Sequence, residues 1–147
     1  MAFGLLYDFL MGQSIVAYKY FGAHFKTIDD KEGVMFRVYA PTAKEISLIG
    51  EFNNWNPTIH KMKKVDDSGV YEIFVPGVKN YQTYKFHILN AQNVYVDKQD
   101  PFGFFSEYRP GSCSKVFDIE NFIWHEKTLI KNRDRNFDKP VSIYEIH

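Results

Sequence analysis

The chain has 147 residues, with lysine plus arginine and aspartate plus glutamate balanced at 18 each, so no net field exists to draw in nucleic acid or an anionic lipid surface. A chain of this length supplies one domain with a real core plus flanking arms, and its 14 Phe, 10 Tyr and 2 Trp leave open how many serve the core and how many a surface contact. The single cysteine, Cys113, excludes an internal disulfide, and the first residues lack a signal-peptide pattern, so the expected location is cytoplasmic.

In chain order, Phe3, Leu6 and Leu10 fall at helical spacing and Gly12 stands where a short helix would end. This arm is too short to cross a bilayer and Asp8 interrupts it, so it is expected to pack on the rest of the molecule. From Gly33 to about Asp118 one strand pattern follows another, with turn signals roughly every ten residues, as an all-β sandwich requires. Val34, Phe36, Val38 and Ala40 share one face, with Met35, Arg37 and Tyr39 on the other. Ile46, Leu48 and Phe52 likewise share a face, before Asn53, Asn54, Asn56 and Pro57 favour a turn. Lys64 to Gly69 reads as a polar loop entering a strand from Val70 to Val75, where Tyr71, Ile73 and Val75 point inward. The next strand, Tyr81 to Ile88, puts Tyr84, Phe86 and Ile88 on one face and Lys85 and His87 on the other. A hairpin through Asn90 and Asn93 leads to Val94–Val96, and Lys115 to Phe117 supplies a last short strand. After Asn121 the chain turns charged, and residues 131–136 read as a solvated linker.

Trp55, raised on the polar turn, has two readings. Its indole face offers apolar area on which the axial C–H groups of a sugar ring pack, with neighbouring Asn and Lys groups taking the hydroxyls. Alternatively it plugs one end of the sandwich core, as large aromatics usually do. No other cluster carries chemistry. The five histidines, His24, His60, His87, His125 and His147, lack metal-ligand spacing with a cysteine or carboxylate, so no metal and no cofactor are expected. Asp29, Asp30, Asp66 and Asp67 cluster in turns where solvation and Asx-turn bonding account for them.

Gly50-Glu51-Phe52-Asn53-Asn54-Trp55 resembles the turn signature of the family 48 carbohydrate-binding modules, which precede the catalytic barrel in glycogen and starch enzymes. Arg37 to Ala43, Gly69 to Glu72, Tyr84-Lys85-Phe86, Asp100-Pro101-Phe102 and Arg109 to Ser114 are similar to further family segments in the same order, with Tyr39 and Tyr71 where tryptophan is commoner. Tyr20 to Phe25 and Val141 to His147 are similar to the flanks of this module in bacterial 1,4-α-glucan branching enzymes. The second of these opens the catalytic (β/α) barrel there.

The resemblance implies an immunoglobulin-like β-sandwich of the early-set type, with an arm over residues 1–25, the module over 26–120, and a linker with the first strand of a truncated barrel over 121–147. It implies a module that positions or weakly binds α-glucan and braces a barrel absent from this chain. Trp55 and Lys85 would contact glucan, with Asn53 and Asn54 as polar helpers. The family's nucleophilic Asp and acid/base Glu lie in the barrel, so the chain itself would be catalytically silent, while the parent would cut an α-1,4-glucan and transfer it to a 6-hydroxyl by a retaining mechanism. The best glycogen binders carry a second tryptophan in the hairpin before the Asp-Pro turn, where this chain has Asn93, Val94 and Tyr95. Two other assignments stand beside this one: a stand-alone glycogen-binding regulatory module, and the equivalent module of a debranching-type enzyme.

Overall fold

A computed structural model of the chain describes residues 2–120, together with 123, 131 and 143–146. The expected helix is α1, Ala2–Leu10. It ends in a Schellman motif: Gly12 has φ 69°, its N–H donates to the Phe9 carbonyl at 3.0 Å, and the Gln13 N–H donates to the Asp8 carbonyl at 2.8 Å. Only a residue free to adopt positive φ closes the helix in this way, which is the reason for glycine at position 12.

Among the described residues nine strands follow: β1 (Gly22–Ile28), β2 (Lys31–Tyr39), β3 (Glu45–Gly50), β4 (Lys63–Val65), β5 (Val70–Pro76), β6 (Thr83–Leu89), β7 (Tyr95–Lys98), β8 (Phe105–Ser106) and β9 (Ser114–Lys115). They form two antiparallel sheets. One has the order β1-β2-β5-β4; the other has β3-β6-β9-β8, with β7 also paired to β6. The all-β sandwich expected from the strand pattern is therefore the observed architecture.

The alternation read from the sequence sets which side chains meet between the sheets. Val34, Phe36, Val38, Tyr71 and Val75 of the first sheet pack against Ile46, Leu48, Tyr84 and Phe86 of the second, with Val116 among them. Two buried hydroxyls are satisfied within this layer. Tyr71 donates to the Ala43 carbonyl at 2.7 Å, and Tyr84 donates to Asp100 Oδ2 at 2.7 Å.

A second apolar cluster covers the outer face of the first sheet. Leu6 of α1, Tyr20, Phe21 and Val70 are buried together there, with Phe9 and Phe102 packed against them. Phe9 meets Phe21 edge-on at 4.6 Å between ring centroids and Tyr39 at 5.1 Å. The arm thus packs onto the sandwich. Arg37, expected on the outward face of β2, lies under this cover: its guanidinium sits 4.5 Å from the Tyr20 ring and Nε donates to Glu72 Oε2 at 2.7 Å.

Several strand readings shift. Lys64 and Val65, read as the start of a polar loop, form with Lys63 the edge strand β4, whose Lys63 and Lys64 are exposed. β1 and β8 were not marked by periodicity. β7 begins at Tyr95, and the last strand ends at Lys115, after which Val116 N–H bonds to the Gln82 carbonyl at 3.0 Å outside the ladder. Residues 143–146, within the stretch expected to open a barrel, belong to no strand, and Ile143, Tyr144 and Ile146 are exposed. The rest of that stretch, and all of the expected linker at 131–136 except Lys131, lie outside the described residues.

Candidate functional site

The turn after β3 is built around Asn53. This residue is only 4% exposed, and its amide serves three partners. Its Oδ1 accepts from Gly50 N–H at 3.0 Å, and Nδ2 donates to the Leu48 carbonyl at 2.9 Å and faces His60 Nδ1 at 2.9 Å. Asn53 therefore points inward, away from the surface on which a polar helper would act. The Asn53 contact requires a lone pair on His60 Nδ1, and burial pushes the His60 pKa down, so both favour the neutral ring.

Held this way, the chain passes through two consecutive left-handed residues, Asn54 at φ 52° and Trp55 at φ 60°. Asparagine adopts that region readily; tryptophan is an outlier there. The Trp55 N–H is secured by the Gly50 carbonyl at 2.9 Å, and Asn56 N–H by the Asn53 carbonyl at 3.1 Å. The result lifts the indole out of the sandwich, leaving Trp55 39% exposed. The core beneath is closed by Phe52, which lies 5.9 Å from Phe36 and 5.8 Å from His60 between ring centroids. Gly50 makes this close approach possible, because a Cβ there would stand 2.5 Å from the Thr83 carbonyl oxygen and 2.8 Å from the Phe52 ring.

Lys85 lies on the outward face of β6, as its parity requires. In the register of β3 and β6, Ile49 pairs with Lys85 and Gly50 with Tyr84. The carbonyl that holds Trp55 thus belongs to the residue next to the partner of Lys85, which sets turn and lysine at one end of the same sheet. Lys85 Nζ donates to Ser112 Oγ at 2.8 Å. Glu51, first residue of the turn, accepts Thr83 N–H on Oε2 at 2.7 Å, tying the turn to β6 a second time.

The family model for carbohydrate-binding module 48, described as the isoamylase N-terminal domain, matches residues 20–103, which include all four of Asn53, Asn54, Trp55 and Lys85. The chain belongs to this family. Curated relatives of this family 48 module include 1,4-alpha-glucan branching enzymes GlgB: that of Picrophilus torridus is 41% identical over 97% of this chain and 19% of its own length, and that of Bacillus subtilis 34% identical over 97% and 23%. The chain thus spans about a fifth of the length of the relatives it matches. Among solved structures, the Klebsiella pneumoniae pullulanase complexed with maltotriose superposes with a TM-score of 0.53 at 23% identity, over 69% of this chain and 10% of that one. Bacillus acidopullulyticus pullulanase gives 0.55 at 20% identity, over 68% and 12%. These last two show the fold of the module, an immunoglobulin-like sandwich.

The remaining polar groups of the module near this end are structural in geometry. Asp100 is buried, its Oδ2 taking the Tyr84 hydroxyl and its Oδ1 the Phe102 N–H at 2.8 Å, while its own N–H donates to Ser114 Oγ at 2.9 Å. Burial raises its carboxyl to about 6, against the lowering pull of those two donors. Burial and the adjacent Glu107 raise the Cys113 thiol, with Lys85 opposing, so this thiol does not ionise readily. His24 places Nε2 2.9 Å from the Phe21 carbonyl and 3.0 Å from that of Tyr18, and so fixes the entry to β1. Sequence reasoning missed the inward turn of Asn53. The signal was available in kind, since an Asn three residues after a strand-end glycine can cap it, but the choice between capping and solvent depends on the distant His60.

Proposed function

We propose that this chain is the non-catalytic N-terminal module of a 1,4-α-glucan branching enzyme, and that it offers α-glucan a weak contact centred on Trp55 and Lys85. The observation that carries the contact is the indole raised on two left-handed residues while Phe52 closes the core: the backbone bears strain at a position where a core role would need none. Asn54 stands beside the indole in the same raised turn and lends its amide to sugar hydroxyls. Asn53 acts through the turn it holds.

The likeness to branching enzymes over nearly the whole chain supports the parent assignment, and the maltotriose complex of a pullulanase that contains a segment of this fold supports the ligand class. The chain has equal numbers of acidic and basic residues, which suits a neutral polysaccharide. One stacked ring and a few exposed hydrogen bonds give an affinity on the order of millimolar. The module also braces the catalytic barrel of the parent. A cytoplasmic location belongs to this reading, with one cysteine in 147 residues in keeping with it; among the described residues no helix is long and apolar enough to cross a membrane.

Titrating maltoheptaose into the 147-residue chain tests the contact. Saturable shifts of the Trp55 indole N–H and the Lys85 amide are expected in NMR spectra. In Trp55→Ala the Lys85 shift vanishes while the melting temperature changes little. A flat titration at high millimolar sugar overturns the contact. For the parent, the reading frame after His147 decides: a barrel with paired carboxylates is expected, and a stop codon there overturns it.

A further inference from the structure

Seven described residues other than glycine hold positive φ, and five of them are Asp or Asn, which tolerate that region. The other two are aromatic: Trp55 at 60° and Tyr81 at 71°. Tyr81 stands two residues before β6, is 56% exposed, and has its N–H held by the Val116 carbonyl at 2.7 Å. The adjacent Asn80 is of the type that takes this conformation readily, yet it is the tyrosine that bears it. Two phenyl rings prop it. Phe105 and Phe117 stack on each other at 5.5 Å, and the Tyr81 ring meets them at 6.2 and 5.8 Å, inclined by 77° and 59°. Thr83 pairs with Lys115 of β9, and Lys115 with Phe105 of β8, in the row that alternation puts on the outer face of the second sheet with Lys85. Lys115 Nζ sits over the Phe105 ring, 5.8 Å from its centroid, and Phe117 is half-buried, so Tyr81 is the most open ring of the three.

We propose that this ledge is a separate α-glucan contact with Tyr81 as its platform, at the opposite end of β6 from the β6–β7 hairpin; the inference rests on the ligand class proposed above. Strain is the first argument. A ring that served packing alone would need no left-handed backbone beneath it, and here the strained residue is displayed. Rigidity is the second. The Val116 carbonyl and the two phenyl rings fix the platform before any ligand arrives, so little ordering cost remains for a sugar whose C–H groups pack on it. The rim is the third. Lys115 is already engaged on the Phe105 ring, so no isolated charge awaits an ionic ligand, while its ammonium and the Tyr81 hydroxyl can donate to sugar oxygens. Position supplies the last. Tyr81 lies three residues before Tyr84, the partner of Gly50, whose carbonyl holds the Trp55 N–H. Three extended residues span at most about 10 Å, so the two raised aromatics are anchored close together at one end of one sheet.

The test titrates maltoheptaose into the 147-residue chain and reads separate NMR signals. The Trp55 indole N–H reports the first contact; the Tyr81 N–H and the Phe105 and Phe117 ring protons report the ledge. Saturable shifts are expected in both sets. In Tyr81→Gly the sugar-induced shifts of Phe105 and Phe117 disappear and maltoheptaose affinity falls roughly fivefold, about one aromatic contact's share. The Trp55 shift persists, and the melting temperature changes little, because glycine takes φ 71° without a Cβ penalty. Tyr81→Phe keeps the ring and is expected to bind as the unsubstituted chain does. Shifts at Trp55 with none at the ledge overturn the ledge and leave the first contact standing. Ledge shifts without a Trp55 response leave the ledge standing and overturn the Trp55 contact. Loss of binding in Tyr81→Phe equal to that in Tyr81→Gly overturns the platform role, and a large fall in melting temperature in Tyr81→Gly makes Tyr81 a packing residue and overturns its display. Ledge signals that move with protein concentration in the absence of sugar identify a second copy of this chain as the occupant and overturn the glucan.

Discussion

Single residues near the turn divide into those that hold it and those that it displays. Asn53 holds it: Asn53→Ala leaves the Leu48 carbonyl and the Gly50 N–H without their partner in a buried site, an expected cost of about 2–3 kcal/mol by urea unfolding. Trp55 is displayed, and its own backbone is under strain. Trp55→Gly is therefore expected to be more stable than Trp55→Ala by about 1 kcal/mol, since only glycine occupies φ 60° without a Cβ penalty. Equal stability of the two variants would show that the turn relaxes once the indole is gone. Most of the site was legible at this scale. The polar run from Asn53 to Pro57 announces a turn, and strand parity alone puts Lys85 outside. The division of labour between Asn53 and Asn54 was not legible, because the side chains are identical and one partner of Asn53, His60, lies seven residues away along the chain.

Among the elements, α1 depends most on its neighbours. Nine residues are too few for a helix to persist alone in water, so α1 folds because Leu6 and Phe9 reach the aromatic cluster on the first sheet. Leu6→Ala is expected to cost about 2 kcal/mol, at the lower end for a buried leucine since the site lies at the rim of the fold, and to reduce the helical signal in far-ultraviolet circular dichroism. Retention of that signal with unchanged stability would contradict the dependence. The elements missed in the sequence carry too little alternation to read. β1 and β4 are edge strands: β1 is buried only at its start, at Gly22 and Ala23, so the alternation that betrays β2 and β6 is faint. β8 is two residues long, shorter than any period can register. The central strands β2, β5 and β6, enclosed on both edges and packed on the core, show the faces read from the sequence.

For the whole molecule, one buried group and one half-buried group give the stability opposite slopes with pH. Asp100 binds its proton more tightly folded than unfolded, its carboxyl standing at about 6. Its contribution is complete below about pH 4 and is lost as pH rises through 6, an amount of about 3 kcal/mol for a shift of roughly two pH units. His60 behaves oppositely. Its lowered pKa means that the fold excludes the proton, so its contribution is complete above about pH 6.5 and is lost as pH falls through the folded value. Urea unfolding from pH 4 to 7 is expected to show a flatter decline toward neutrality in Asp100→Asn than in the parent chain; an unchanged slope would remove Asp100 as its source. The same sidedness of the sandwich has a practical corollary. The helical arm lies over one sheet, while Trp55, Lys85, Tyr95 and Lys61 belong to the other, so the molecule has a back and a front. Anchored to a sensor chip through its first residues, it would turn its front to the flowing sugar. Anchored by random amine coupling, it would hide Lys61 and Lys85 against the support.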